Sequence, residues 1–123
     1  MWLFTKHGFF SVVCGREEGG KGRGIDPNAI MIRARRRSEI DALRDAVPVL
    51  WPHEVTETGS TDYRYRVVVT KAVWTEVAAA MASDINYGNF KNEASYVTGG
   101  DYANLLHEVW SIMHRHQESE PES

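Results

Sequence analysis

Apolar and polar residues recur along this chain with two different periods. Over Phe9 to Cys14 (FFSVVC) aromatic and β-branched residues are dense, and over Ala29 to Arg35 the apolar Ile30, Ile32 and Ala34 alternate with Met31, Arg33 and Arg35. Both stretches predict β-strands, since successive side chains of an extended chain point to opposite faces and branched side chains suit a pleated surface. Between them lies GREEGGKGRGIDPN, with glycine at five of its first ten positions and Asp26, Pro27 and Asn28 supplying turn chemistry. A long flexible loop over residues 15–28 is expected. Trp2 to Thr5 reads either as a short strand turning at Gly8 or as the start of a longer one.

The helical period begins after Arg37. Ser38 followed by Asp41 resembles a capping box, and Ile40, Leu43, Ala46 and Val47 share one helical face before Pro48 ends the run. Two further strands, around His53 to Glu57 and Asp62 to Thr70, flank the turn-rich Thr58, Gly59, Ser60 and Thr61, which predicts a hairpin. Thr70 is placed to cap a second helix, whose buried stripe is Val73, Trp74, Val77, Met81 and Ile85. After NYGN (86–89), Asn89 is placed to cap a short helix carrying Phe90, Ala94 and Val97. Asp101 is placed to cap a last helix, where Tyr102, Leu105, Leu106, Val109 and Met113 follow the helical repeat.

Strands in pairs and helices with one apolar stripe define the fold class: α+β, a two-layer sandwich with helices on one face of an antiparallel sheet. The sheet has about four strands, the order being ββαββα plus a C-terminal helix. A ferredoxin-like arrangement belongs to that class, and the strand order is open. The chain of 123 residues suits one α+β domain over 1–117, large enough to bury a core of its own. QESEPES, with nothing apolar, predicts a mobile acidic tail over 118–123.

Composition changes this picture little: 42% hydrophobic and 25% charged residues are an ordinary globular mixture. The net charge of −3 is carried by the tail, because setting aside Glu118, Glu120 and Glu122 leaves about zero. The apolar N-terminal stretch is interrupted by Lys6 and His7 with no basic region ahead of it, so it predicts neither a signal peptide nor a membrane span. A cytoplasmic location is the expectation. Cys14 is the only cysteine, which excludes an internal disulfide and a multi-cysteine zinc site and suggests a buried, unreactive thiol.

Two motifs come close to known chemistry. Gly15, then four residues, then Gly20 and Lys21 has the spacing of a phosphate-binding loop. However, Gly22 stands where a magnesium-binding hydroxyl is needed, Glu17 and Glu18 put negative charge where phosphates would sit, and a strand comes next where a helix should. HEVWS at 107–111 has a serine where a zinc-protease helix needs its second histidine, and His114 is too far along to complete that site. His107 and His114 are expected to border the buried stripe beside Trp110. Cys14, His53, Asp84 and His107 suggest no catalytic set, and no cofactor or metal is expected.

The arginines carry the clearest functional hint. Alternation puts Arg33 and Arg35 on one side of their strand, and Arg64 and Arg66 on one side of DYRYRVVV, opposite Tyr63, Tyr65, Val67 and Val69. Arg36, Arg37 and Lys71 stand where they would extend the patch. Guanidinium groups recognise phosphate and carboxylate by paired hydrogen bonds. The expectation is therefore a non-catalytic binding module that meets an anionic partner, a protein surface or nucleic acid, through Arg33, Arg35, Tyr63, Arg64, Tyr65, Arg66 and Lys71. One form of it is a small inhibitor, of the kind phages and mobile elements carry, occupying a nucleic-acid-binding surface of a larger complex. Against this, solvent-facing arginines are ordinary on an open sheet, and Glu54, Glu57 and Asp62 stand where they would neutralise them. The alternative is a small enzyme or metabolite-binding domain using Asn86, Tyr87, Asn89 and Lys91 at the INYGNFK turn, and exposed tryptophan or phenylalanine would suggest a homodimer.

The segments MWLFTKHGFFSVV, DYRYRVVV, INYGNFK and HEVWSIM resemble a family of small bacterial proteins without an assigned function. The resemblance spans residues 2–14, 30–47, 62–91 and 102–113 and omits the glycine-rich loop, so it implies that the loop is an insertion in an intact domain. It implies no activity or ligand. Asn86 stands where the family pattern has an acidic residue.

Overall fold

The computed structural model describes residues 1–16, 24–59 and 61–121. Among the described residues five strands form one sheet: β1 (Trp2–Thr5), β2 (Gly8–Arg16), β3 (Ile25–Ala34), β4 (Thr56–Glu57) and β5 (Tyr65–Thr70), in spatial order β1-β2-β3-β5-β4. Every pairing is antiparallel. The helices are α1 (Arg37–Ala46), α2 (Lys71–Ser83), α3 (Phe90–Val97) and α4 (Gly100–Glu118). The fold is thus α+β with an antiparallel sheet and α1 and α2 packed on one face, although its order of elements is not the βαββαβ of a ferredoxin-like domain. Trp2 to Thr5 makes a strand of its own, because the hairpin register Thr5↔Gly8 leaves only Lys6 and His7 in the turn. That strand raises the count from about four to five.

The chain falls into two compact units, Met1–Asn86 and Tyr87–Ser123, where the sequence pattern reads as one domain. In the first, Phe10, Val12, Ile30, Ile32, Val67 and Val69 project from one face of the sheet and meet Ile40 and Leu43 of α1 and Val77 of α2. Full burial of each such side chain contributes roughly 1.5–3 kcal/mol. In the second, Ala94, Tyr102 and Leu106 bury one another with Phe90 packed alongside. That cluster holds α3 against α4.

Several local expectations are corrected. The capping box at Ser38 and Asp41 does not form: α1 starts at Arg37, its N-cap is Arg36 with no side-chain cap, and the Asp41 carboxylate is held by Arg37 Nε at 3.1 Å. Ala46 is exposed, and Pro48 opens a 3₁₀ turn that delivers buried Leu50. Of the two strands expected around the 58–61 turn, only Thr56–Glu57 and Tyr65–Thr70 pair. α2 ends at Ser83, so Ile85 is 62% exposed instead of closing its stripe. Val97, Leu105 and Met113 are also exposed. Gly99, at φ +122°, is the N-cap of α4 in place of Asp101, which lies in the first turn. The same helix runs through Glu118, with the Ser119 amide bonded to Arg115, so the first residue of the acidic tail is helical.

β2 and β3 extend beyond their expected ends to Arg16 and from Ile25, with a register shift between Cys14 and Gly15. Cys14 is half-buried rather than buried. Glu17, Glu18, Gly20, Lys21, Gly22, Ser60 and Glu122 lie outside the described residues. The element after the glycine-rich segment is the strand β3 and not a helix, so the dipole and free amides that a phosphate-binding loop requires are missing from that end.

α1 also reaches the β1–β2 turn. Gly8 sits at φ +138°, and a Cβ there would lie 2.5 Å from Cγ of Glu39. Glu39 is itself buried. Burial pushes its carboxyl above the ordinary range, opposed by nearby Arg36 and a hydrogen bond from the Phe9 backbone. His7 in the same turn is shifted down, by burial first and then by its neighbour Lys6, whose Nζ pairs with Asp84 at 2.8 Å.

Candidate arginine and aromatic sheet face

The face of the sheet opposite the core is built by the strand registers. Trp2 pairs with Ser11, Ser11 with Arg33, Arg33 with Arg66, and Arg66 with Thr56. These residues form one row across all five strands, and because paired residues share a face, their side chains share the outward side. A second row joins Phe4 to Phe9, and a third runs Val13, Met31, Val68. Trp2 is 69% exposed, and Phe4 and Val68 are exposed too.

Rings and guanidinium groups interleave here. Phe9 meets Trp2 in a T-shaped contact at 5.7 Å and lies 4.7 Å from Phe4 and 6.5 Å from Tyr63, centroid to centroid. Arg35 lies over both Phe9 and Tyr63, at 5.6 and 4.3 Å, and Arg33 lies over Tyr63 at 4.5 Å. Cation–π contacts of this kind contribute roughly 0.5–2 kcal/mol. They engage a flat face of each guanidinium group.

The hydrogen bonds separate three roles. Arg33 donates from Nη2 to the buried Ser11 hydroxyl at 2.7 Å. Arg66 donates to Thr61 Oγ1 and the Tyr63 carbonyl, each at 3.1 Å, and to Met31 Sδ at 3.3 Å, so it clasps the bend before β5. Arg35 is exposed and has no described hydrogen bond or ion pair, although its charge acts on the nearby Glu39 carboxyl and opposes the effect of burial there. Nε of both Arg33 and Arg66 is buried without a described acceptor. Among the described residues the ion pairs are Lys6–Asp84, Arg37–Asp41 and His114–Glu118. Glu54, Glu57 and Asp62 form no ion pair with this face among the described residues.

The expected site is brought together only in part. Arg33, Arg35, Arg66 and Tyr63 converge. Tyr63 joins the arginines instead of opposing them, because β5 starts at Tyr65 and strict alternation does not extend into the bend at 61–63. Tyr65 packs against the core, beneath Arg37 at 5.9 Å. Arg64 is exposed just before β5, Arg36 caps α1, and Lys71 opens α2; none of the three has a described hydrogen bond, ion pair or ring contact with the cluster. Trp2, Phe4, Phe9, Ser11 and Met31 are new members. The signal for the aromatic ones lay in the alternation of Trp2 and Phe4 around Leu3, which becomes informative once the turn is fixed at Lys6 and His7.

The alternative residues at the INYGNFK turn serve local structure. Asn89 accepts the Asn92 amide at 2.9 Å as the cap of α3, Lys91 Nζ lies 5.2 Å from the Trp110 ring, Tyr87 is 6.2 Å from Phe90, and Asn86 is exposed. On α4, Trp110 stacks between His107 and His114 at 5.8 and 5.1 Å. All three rings are exposed instead of bordering a buried stripe. Among the described residues no three His, Cys, Asp or Glu side chains gather as a metal site would need, and no helix is long and apolar enough to cross a membrane.

The fold and this face define an α+β protein with an open, arginine-bearing antiparallel sheet. Comparison with known proteins gives no relative: no family model matches the chain, and no curated protein or solved structure does so either.

Proposed function

We propose that the protein is a non-catalytic binding module whose open sheet face engages an anionic partner through Arg33 and Arg35. The observation that carries this reading is the direct opposition of Arg33 and Arg66 with no described carboxylate paired to either. Like charges facing each other across a ladder are unfavourable, and a negatively charged guest relieves that repulsion. Arg66 supports the site by bonding to the Tyr63 carbonyl, and the Tyr63 ring lies beneath Arg33 and Arg35. An inhibitor of a nucleic-acid-binding complex is one biological use of such a face, and a cytoplasmic setting agrees with it.

Retention on a heparin column tests the reading. The protein is expected to bind at low salt despite its net charge of −3, and Arg35→Ala is expected to elute at distinctly lower salt. Replacement of Arg115 on α4 serves as the control. Equal elution of the Arg35→Ala and parent proteins would remove the arginine face from consideration.

A further inference from the structure

We infer that the anionic partner is single-stranded nucleic acid, its bases stacking on Trp2 and Phe4 while its phosphates meet Arg33 and Arg35. This deepens the anionic-partner reading and rests on it. The face offers two kinds of recognition side by side. Arg33 and Arg35 form no ion pair among the described residues and supply charge complementarity, and beside them stands an indole that is 69% exposed and meets Phe9 in a T-shaped contact. A polynucleotide strand repeats a π face and an anion at every residue, whereas an acidic peptide repeats only the anion.

Geometry selects single strands over duplex. Five strands at about 4.8 Å spacing make a surface roughly 19 Å across, while the major groove is about 12 Å wide and admits a helix or a two-stranded ribbon. Open antiparallel sheets that carry aromatic side chains hold two or three splayed bases. Here Trp2 lies two strand spacings from Arg33 in the same row, so one strand crossing the sheet from β1 to β3 meets ring and then charge.

The test uses the full chain and four labelled probes followed by fluorescence anisotropy: oligothymidylate, oligouridylate, a duplex of equal charge and polyglutamate. Tighter binding of the single strands than of duplex or polyglutamate is expected, with affinity falling steeply between about 50 and about 200 mM salt. Trp2→Ala is expected to weaken the single strands about tenfold, within the range of base–aromatic stacking. Trp2→Phe should restore most of the loss, which separates stacking from damage to β1. Comparison of the thymidylate and uridylate probes distinguishes DNA from RNA as the source. If all polyanions bind alike and respond to Arg35→Ala but not to Trp2→Ala, the single-strand inference is overturned and the anionic face stands. Binding of polyglutamate alone has the same meaning. If nothing responds to Arg35→Ala, both fall.

Discussion

Arg33 and Arg66 stand directly opposite one another across the β3–β5 ladder, yet their guanidinium groups are directed to different work. Arg33 reaches back to Ser11 on β2, and Arg66 reaches forward to the bend at Thr61 and Tyr63. The arrangement spreads two like charges and uses one of them as a clasp.

That division predicts unequal costs. Arg66→Lys keeps the charge and loses the planar fork that serves Thr61 and Tyr63, so a loss of about 1–2 kcal/mol in urea unfolding is expected. Arg35→Ala removes an exposed side chain stacked on Phe9 and Tyr63 and should cost less, about 0.5–1 kcal/mol. The reverse order would mean that the bend is held by something other than Arg66.

Gly8→Ala should destabilise by more than about 1 kcal/mol, since φ +138° is a conformation that alanine rarely adopts and the new methyl meets Glu39. Pairing it with Glu39→Ala in a double-mutant cycle should recover only the part of the clash due to Cγ and Cδ, since the Cβ of residue 39 would still lie 2.8 Å away, and should leave the backbone part. Full recovery in thermal unfolding would assign the whole effect to the clash.

Glu39 and His7 give the stability curve opposite slopes. The Glu39 carboxyl is raised by burial, so the folded state binds the extra proton and stability falls as pH rises from the ordinary glutamate pKa of about 4.3 through the raised value. His7 is lowered by burial, so stability falls as pH drops below the free histidine pKa of about 6.5. Glu39→Gln keeps an acceptor for the Phe9 amide and removes the first slope. Its stability relative to the parent should be greater at pH 7 than at pH 4; a constant difference across that range would show that Glu39 is not the titrating group.

Capping gives a further contrast. Thr70 Oγ1 accepts the Val73 amide at 3.2 Å, so Thr70→Ala should cost about 1 kcal/mol. Ser38 caps nothing, so Ser38→Ala should leave the denaturation midpoint nearly unchanged. Equal losses at both positions would place the start of α1 at Ser38 after all.

What the sequence by itself determined is whatever depends on neighbours along the chain. The alternation of Ile30, Ile32 and Ala34 with Met31 and Arg33, the cap at Thr70 and the stripe from Val73 to Met81 are set by backbone geometry over a few residues, and each is present in the folded protein. Where a local signal had a competitor in space it failed: Arg37 took the carboxylate that Ser38's capping box needed, and the end of α2 left Ile85 in solvent. Only the tertiary structure decided that β5 inserts between β3 and β4, and that insertion aligns Trp2, Ser11, Arg33, Arg66 and Thr56 in one row. It also turned Tyr63 under two arginines, because the bend before β5 breaks the alternation that would have sent it to the core. Side-chain period comes from the chain, whereas the choice of partner strand depends on burying the apolar faces of β2, β3 and β5 under α1 and α2 together, a cooperative condition that no short stretch of sequence contains.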